Sequence, residues 1–217
     1  MKHAVIFAHP KPDSFTAAMA DAYADAARRQ GQEVVVRDLY AMNFDPRLQA
    51  AEMAGDEAPI PLPDVAAERE LLKDVDVFVL VYPLWFNAPP AMLKGYLERV
   101  FGMGFGYGRT AGRQEPLLTG RKLLSITASG APADWIKDTG SWRAIRRLFD
   151  EHFAEVCGLE VLDHLHFGEI THGIRDDAVR ACRRAVPGSS WPRLDSGPCS
   201  GGASSSASCC SPGCRLS

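Results

Sequence analysis

A chain of 217 residues with 46% hydrophobic and 24% charged side chains has enough apolar material for one buried core, and this composition excludes a disordered or fibrous polymer. The formal charge of −3 and the pI near 6.1 exclude the broad positive field that nucleic acid or an anionic bilayer attracts, so neither is expected as a partner. No uninterrupted apolar run approaches bilayer length, and the short apolar stretch 1–8 has no small-residue cleavage site behind it, so the body reads as cytoplasmic and not membrane-inserted.

In chain order, Lys2 to Ala8 (KHAVIFA) is a β-branched, apolar run that predicts a strand. The turn formers HPKPDS follow, then a helical pattern from Phe15 to Gln30, with Asp13 or Ser14 as its cap and Gly31 as its stop. Glu33 to Asp38 (EVVVRD) predicts a second strand. Leu39 to Pro63 shows no period and is broken by prolines, so a long excursion is expected, with a brief turn over Leu48 to Met53. Asp64 to Lys73 predicts a short helix capped by Asp64, and Asp76 to Tyr82 (DVFVLVY) is the strongest strand signal, expected at the sheet centre. Ala91 to Val100 has helical spacing behind Pro89 and Pro90. A glycine-rich loop is expected over Gly102 to Gly112, a strand over Lys122 to Thr127, a helix from Trp142 to Val156 stopped by Gly158, a strand over Leu159 to Phe167 and a helix over Asp176 to Val186. Five strands alternating with helices require a parallel sheet covered on both faces. The expected architecture is therefore doubly wound α/β, flavodoxin-like, with strand order 2-1-3-4-5 and a ligand site at the carboxyl ends of the strands.

Residues 1–186 read as one catalytic domain, and Pro187 to Ser217 departs from it abruptly. That tail is rich in Ser, Gly, Pro and Cys, carries little charge and shows no periodicity, so it is expected to be disordered and to be no functional module. Cys199, Cys209, Cys210 and Cys214 crowd it without the paired C-x-x-C spacing of a zinc site, whereas Cys157 and Cys182 stand alone in the body, as in a reducing compartment.

The chemistry is expected in three loops. His9 to Thr16 places Ser14, Thr16 and free backbone N–H groups at a helix start, where an anion is favoured; ordinary N-capping explains the same residues equally well. The absence of G-x-G-x-x-G disfavours a Rossmann dinucleotide grip. Tyr82-Pro83-Leu84-Trp85-Phe86-Asn87 sets two large aromatics just beyond the central strand, and a wall for a planar ring is a more natural use of them than core packing. Thr127-Ala128-Ser129-Gly130 offers small residues and N–H donors, a structural turn if it stood alone. His164 and His166 alternate on one strand face but lack a third metal ligand, so they are expected to be partly exposed strand residues. Arg143, Arg146 and Arg147 read as a solvated stripe, and Cys157 as buried packing.

The strings HP...DSF at 9–15, DLYAMNFDP at 38–46, YPLWFNAPPAMLKGYLERVF at 82–101 and LSITASG at 124–130 resemble the NAD(P)H:quinone oxidoreductase (DT-diaphorase) family. The resemblance covers Met1 to about Val186 and omits the tail. It implies an FAD cofactor, with FMN the alternative used by shorter relatives, NAD(P)H as co-substrate, a homodimer, and a ping-pong hydride transfer to quinones or similar small acceptors. It further implies that His9, Phe15 and Thr16 hold the phosphate and adenosine side, that Pro83, Leu84, Trp85 and Phe86 lie along the flavin, and that Thr127, Ala128, Ser129 and Gly130 contact its polar edge through the backbone. Tyr107 would help line the substrate pocket. The family's proton-handling Tyr and His correspond here to Trp135 and Ser141, so those roles do not transfer; Trp135 remains a substrate-pocket candidate, and backbone N–H groups at 128–130 are left to stabilise negative charge. The rival readings are a flavodoxin-type electron carrier, a regulatory flavoprotein subunit of an ion-efflux system, and an azo or nitro reductase.

Overall fold

The computed structural model describes residues 1–53, 59–110, 112–170 and 176–184. The order is β1 (Lys2–Phe7), α1 (Phe15–Arg29), β2 (Glu33–Asp38), a 3-10 turn (Ala50–Glu52), α2 (Pro63–Leu72), β3 (Val77–Pro83) and α3 (Ala91–Val100). A hairpin of β4 (Tyr107–Thr110) and β5 (Arg113–Pro116) precedes β6 (Lys122–Ala128). Then come α4 (Ala133–Asp138), α5 (Ser141–Ile145), a π-helical turn (Arg146–Glu151), α6 (His152–Cys157), β7 (Glu160–Phe167) and α7 (Asp176–Arg184).

Five strands pair in parallel in the spatial order β2-β1-β3-β6-β7. Leaving out the separate hairpin, this is the expected 2-1-3-4-5 order. Because successive strand residues face opposite sides, the wholly buried β3 divides its side chains between two cores. Val77, Val79 and Val81 pack with α1 on one face. Phe78, Leu80 and Tyr82 pack with α3 and the α5–α6 helix on the other. A strand buried on both faces reads as a continuous apolar run, which is why DVFVLVY was the clearest signal.

Four local expectations differ from the structure. The glycine-rich segment forms the β4–β5 hairpin, whose strands pair antiparallel from Tyr107↔Pro116 to Thr110↔Arg113; its residues are largely polar and exposed, so no alternating pattern announces it. The short helix α4 went unread because it has six residues behind Pro132. The helix expected over 142–156 is interrupted by the π turn. Asp64 does not cap α2: Leu62 holds the cap position and Pro63 the first turn, while Asp64 accepts from Arg99 at 2.7 and 3.0 Å. The buried Arg99 also donates to Glu52 at 2.8 Å and to the Asp45 carbonyl at 2.6 Å. One cation thus fastens the aperiodic excursion to α2 and α3, and its side-chain donors are met by three different segments. The tail 187–217 and its four cysteines lie outside the described residues.

Two glycines end helices in the left-handed region, with different surroundings. Gly31 (φ +73) faces open space, whereas a Cβ on Gly158 (φ +80) would stand 2.7 Å from Thr119 Oγ1 and 2.8 Å from Pro116 Cβ. Gly31→Ala therefore carries only the backbone cost of about 1 kcal/mol, while Gly158→Ala adds overpacking of roughly 1–3 kcal/mol. Urea midpoints of the two variants are expected to fall in that order; equal shifts would contradict the steric account.

Candidate functional site

The carboxyl ends of β1, β3 and β6 lie side by side, and the loops that leave them meet in one cleft of about 160 Å³. Its lining is His9, Phe15 and Thr16 from the first loop, Pro83, Leu84 and Trp85 from the second, Ala128, Ser129 and Gly130 from the third, and Ile170 from the segment after β7. Sequence reasoning missed Ile170, which nothing in its local sequence marks.

In the first loop Ser14 caps α1, its Oγ accepting from the Ala17 N–H at 3.2 Å. The capping reading therefore accounts for the Ser14 side chain. The N–H groups of Phe15 and Thr16 meet no acceptor among the described residues, so the first turn keeps donors and a positive dipole end for an anion. His9 sits beside Trp85, ring centroids 5.8 Å apart, and its Nδ1 accepts from the Lys11 N–H at 3.1 Å.

The second loop is pinned to the third by the Leu84 N–H, which donates to the Ala128 carbonyl at 2.7 Å. Trp85 and Ala88 then exchange two backbone hydrogen bonds of 3.1 Å, closing a two-residue turn in which Phe86 and Asn87 hold φ +52 and +54. Positive φ at both central positions is the signature of a primed hairpin turn, which suits Asn and strains a bulky Phe. Phe86 is wholly exposed and is not among the cleft-lining residues, whereas Trp85, 42% exposed, is. Asn87 Nδ2 donates to Ser141 Oγ at 3.2 Å and ties this turn to α5.

The third loop is laced to the chain after β7: Ser129 N–H donates to the Phe167 carbonyl, Ile170 N–H to the Ser129 carbonyl, and Glu169 N–H to the Ala131 carbonyl, at 2.9 to 3.0 Å. The N–H groups of Gly130 and Ala131 have no acceptor among the described residues. Thr127 is buried with its hydroxyl turned away from the cleft, between His164 Nε2 at 2.8 Å and His166 Nδ1 at 3.0 Å. Tyr107, on the hairpin, and the half-exposed Trp135, on α4, are not part of the lining.

Of the two strand histidines His166 is partly exposed, as expected, but His164 is buried, its Nδ1 2.6 Å from Asp150 Oδ2, and Trp142 lies against both imidazoles, with centroids 4.6 and 5.5 Å away. The π turn brings Asp150 under the sheet; a carboxylate next to Phe149 on an apolar helix face was the sequence signal for it. Of the arginine stripe, Arg147 pairs with Glu151 and Glu155, but Arg146 Nε is buried without a partner among the described residues. Cys157 is buried and its thiol is pushed up to about 12 by that burial, which leaves it an inert packing residue. Among the described residues no three His, Cys, Asp or Glu side chains are grouped to hold a metal, and no helix is long and apolar enough to cross a membrane.

Among the described residues no carboxylate, amine or thiol lines the cleft. Free N–H groups at two ends and an apolar, aromatic wall between them fit a planar heteroaromatic ring with a polar edge and a phosphate tail. A doubly wound sheet with its ligand cleft at the strand-order reversal is the architecture of nucleotide- and flavin-binding α/β proteins. The chain belongs to the flavodoxin-like fold family, whose family model matches residues 1–186. It is 35% identical over 182 residues to an uncharacterized NAD(P)H oxidoreductase of Haemophilus influenzae, covering 83% of this chain and 90% of the relative. It is 31% identical to NAD(P)H dehydrogenase [quinone] 1 of Rattus norvegicus, over 81% of this chain and 72% of that one. Among solved structures, the NAD(P)H:quinone oxidoreductase from Methanothermobacter marburgensis superposes with a TM-score of 0.72 at 25% identity, covering 85% of this chain and 94% of the other.

Burial, followed by the neighbouring His164 and Lys137, pushes His166 down to about 4. An unfolded histidine titrates near 6.5, so between about pH 4 and 6.5 the unfolded chain binds more protons here than the folded one, and stability rises with pH through that window. The stability difference between wild type and His166→Gln, from urea titrations, is therefore expected to grow from pH 4 to 6.5 in favour of wild type and to be level above it. A difference independent of pH would contradict this.

Proposed function

We propose that the chain is a flavin-dependent NAD(P)H oxidoreductase that passes a hydride equivalent to quinones or similar small, flat acceptors. The observation that carries this reading is the convergence of unpaired N–H groups and an aromatic wall at the strand-order reversal. It agrees with what the relatives are: the chain is an oxidoreductase of the NAD(P)H dehydrogenase (quinone) type. The proposed cofactor is FAD, with FMN the other flavin that the same ring and phosphate contacts accept. When bound, a flavin supplies the hydride chemistry, and the protein supplies orientation and charge.

In this reading the N–H groups of Phe15 and Thr16 hold phosphate at the start of α1, with His9 beside it. Pro83, Leu84 and Trp85 form the wall along the ring, and Phe86 extends it outward. The backbone at Ala128, Ser129 and Gly130 faces the polar edge, where its free donors stabilise negative charge. One open mouth admits one flat partner at a time, which supports a ping-pong order in which NAD(P)H leaves before the acceptor enters. A homodimer is proposed to complete the site, with Tyr107 and Trp135, outside the cleft of their own chain, lining the acceptor pocket. Residues 1–186 are the proposed catalytic unit.

The test is an absorption spectrum of the purified chain with added FAD or FMN, followed by bleaching with NADH or NADPH and recovery of colour on adding a quinone. Absence of flavin binding would overturn the reading; flavin bound but unbleached by either nicotinamide would make the chain an electron carrier. Because Trp85 is exposed, Trp85→Ala is expected to leave folding unchanged and to weaken flavin binding roughly tenfold, the scale of one lost aromatic stack, as read by fluorescence titration.

A further inference from the structure

An unbroken file of polar side chains runs from beneath the sheet to the cleft and can be followed from its buried end. Asp150 is wholly buried, and an ionised carboxylate can only accept. Ser125 Oγ therefore donates to Oδ1 at 2.7 Å and His164 Nδ1 to Oδ2 at 2.6 Å. When His164 carries only the Nδ1 proton, Thr127 Oγ1 donates to its Nε2 at 2.8 Å, with the Leu165 carbonyl at 3.4 Å as the hydroxyl's other acceptor. With its one proton committed, Thr127 accepts from His166 Nδ1 at 3.0 Å. This leaves the His166 Nε2 lone pair facing Ser129 Oγ at 3.2 Å, and Ser129 lines the cleft. The Ser129 hydroxyl has a second acceptor, the Ala131 carbonyl, at 3.0 Å, so it can turn between the two.

A network that merely satisfied buried groups would end among buried groups. This one ends at the cleft, through an imidazole that keeps partial contact with solvent. The proposed reaction needs such a path: NAD(P)H, a quinone and one proton give NAD(P)+ and a hydroquinone, so each turnover draws one proton from solvent. Resting on the flavin-site reading above, we propose that this file is a proton relay, in which Ser129 passes a proton to the ligand in the cleft and His166 replaces it. Thr127, His164 and Asp150 position His166 and balance its charge. In the step, negative charge in the cleft first draws a proton from water onto His166 Nε2 while the Nδ1–H stays hydrogen-bonded to Thr127; the Ser129 Oγ–H bond then breaks toward the anionic ligand atom as the His166 Nε2–H bond breaks and a new Oγ–H bond forms, which returns His166 to its neutral Nδ1 form. No electrons move along the file.

The groups that face His166 make its protonation depend on the cleft. Burial and Lys137 on α4 oppose a positive charge there, as any charge on His164 of its own strand would. Thr127 and Ser129 on β6 bond its two nitrogens, the Trp142 ring covers one side, and Asp150 acts through His164. His166 is thus neutral beside an uncharged cleft, and negative charge arising in the cleft draws a proton onto it.

Two measurements test this. Histidine-selective nitrogen NMR of the flavin-free chain at pH 7 is expected to show His164 and His166 both protonated on Nδ1, and Thr127→Val, nearly isosteric, to remove the Nδ1 preference of His166. Mixed tautomers at His166 in wild type would overturn the relay. With FMN added, wild type, His166→Gln and Thr127→Val are expected to bind within a few fold of one another, while the pH dependence of the midpoint potential falls in both variants by nearly one proton per electron pair. Equal binding with an unchanged proton count overturns the relay alone. A wild-type chain that binds neither FMN nor FAD overturns the functional reading and the relay with it.

Discussion

The site depends on the parallel register that ends β1, β3 and β6 along one edge of the sheet. Pro83 pairs with Ala128 at the last rung, and the next hydrogen bond, from Leu84 N–H to the Ala128 carbonyl at 2.7 Å, already belongs to the loops. The Ala8 N–H reaches the Val81 carbonyl at 3.3 Å in the same way on the other side of β3. The sheet thus hands three chain segments to the cleft with little freedom left at their roots. Parallel strands need helical crossovers, and those crossovers bury both faces. In such sheets the ligand edge is the one at the carboxyl ends of the strands, where these three loops emerge.

Two buried ionic clusters occupy opposite faces of the problem. Arg99 meets Glu52, Asp64 and the Asp45 carbonyl, and it serves the fold, since it gathers an excursion that has no periodic structure of its own. Asp150 meets Ser125 and His164 beneath the strands that end at the cleft. Burying a carboxylate is tolerable only when its lone pairs are met, and meeting them here orders a line of donors that terminates at the ligand cleft. The π turn is what admits Asp150 to that position, in keeping with the frequent placement of such turns at functional sites.

Much of this was legible in the sequence, and the failures have physical causes. Strands buried on both faces, such as Val77–Pro83, leave no ambiguity of period, and glycines at 31 and 158 mark helix ends because only a residue without Cβ takes that backbone cheaply. The loop residues near Phe15, Trp85 and Ser129 were recognisable because ligand cleft and strand ends coincide in this topology. The β4–β5 hairpin was hidden by its polar, exposed strands, and the use of Asp64 by Arg99 by a distance of 35 residues in sequence. Of His164 and His166, alternation rightly placed both on one face and His166 is partly exposed as expected, but His164 is buried on Asp150, and a π turn shifts a helix face in a way that helical periodicity does not anticipate.

The central claim is that three loops clasp one flavin between peptide donors and an aromatic wall. Backbone amide NMR during a single titration with FAD or FMN tests it most directly. Phe15, Thr16, Trp85, Gly130 and Ala131 are expected to shift together with one saturation curve, while the amides of β4 and β5 stay in place. Flavin that binds while these five amides remain unmoved would contradict the account.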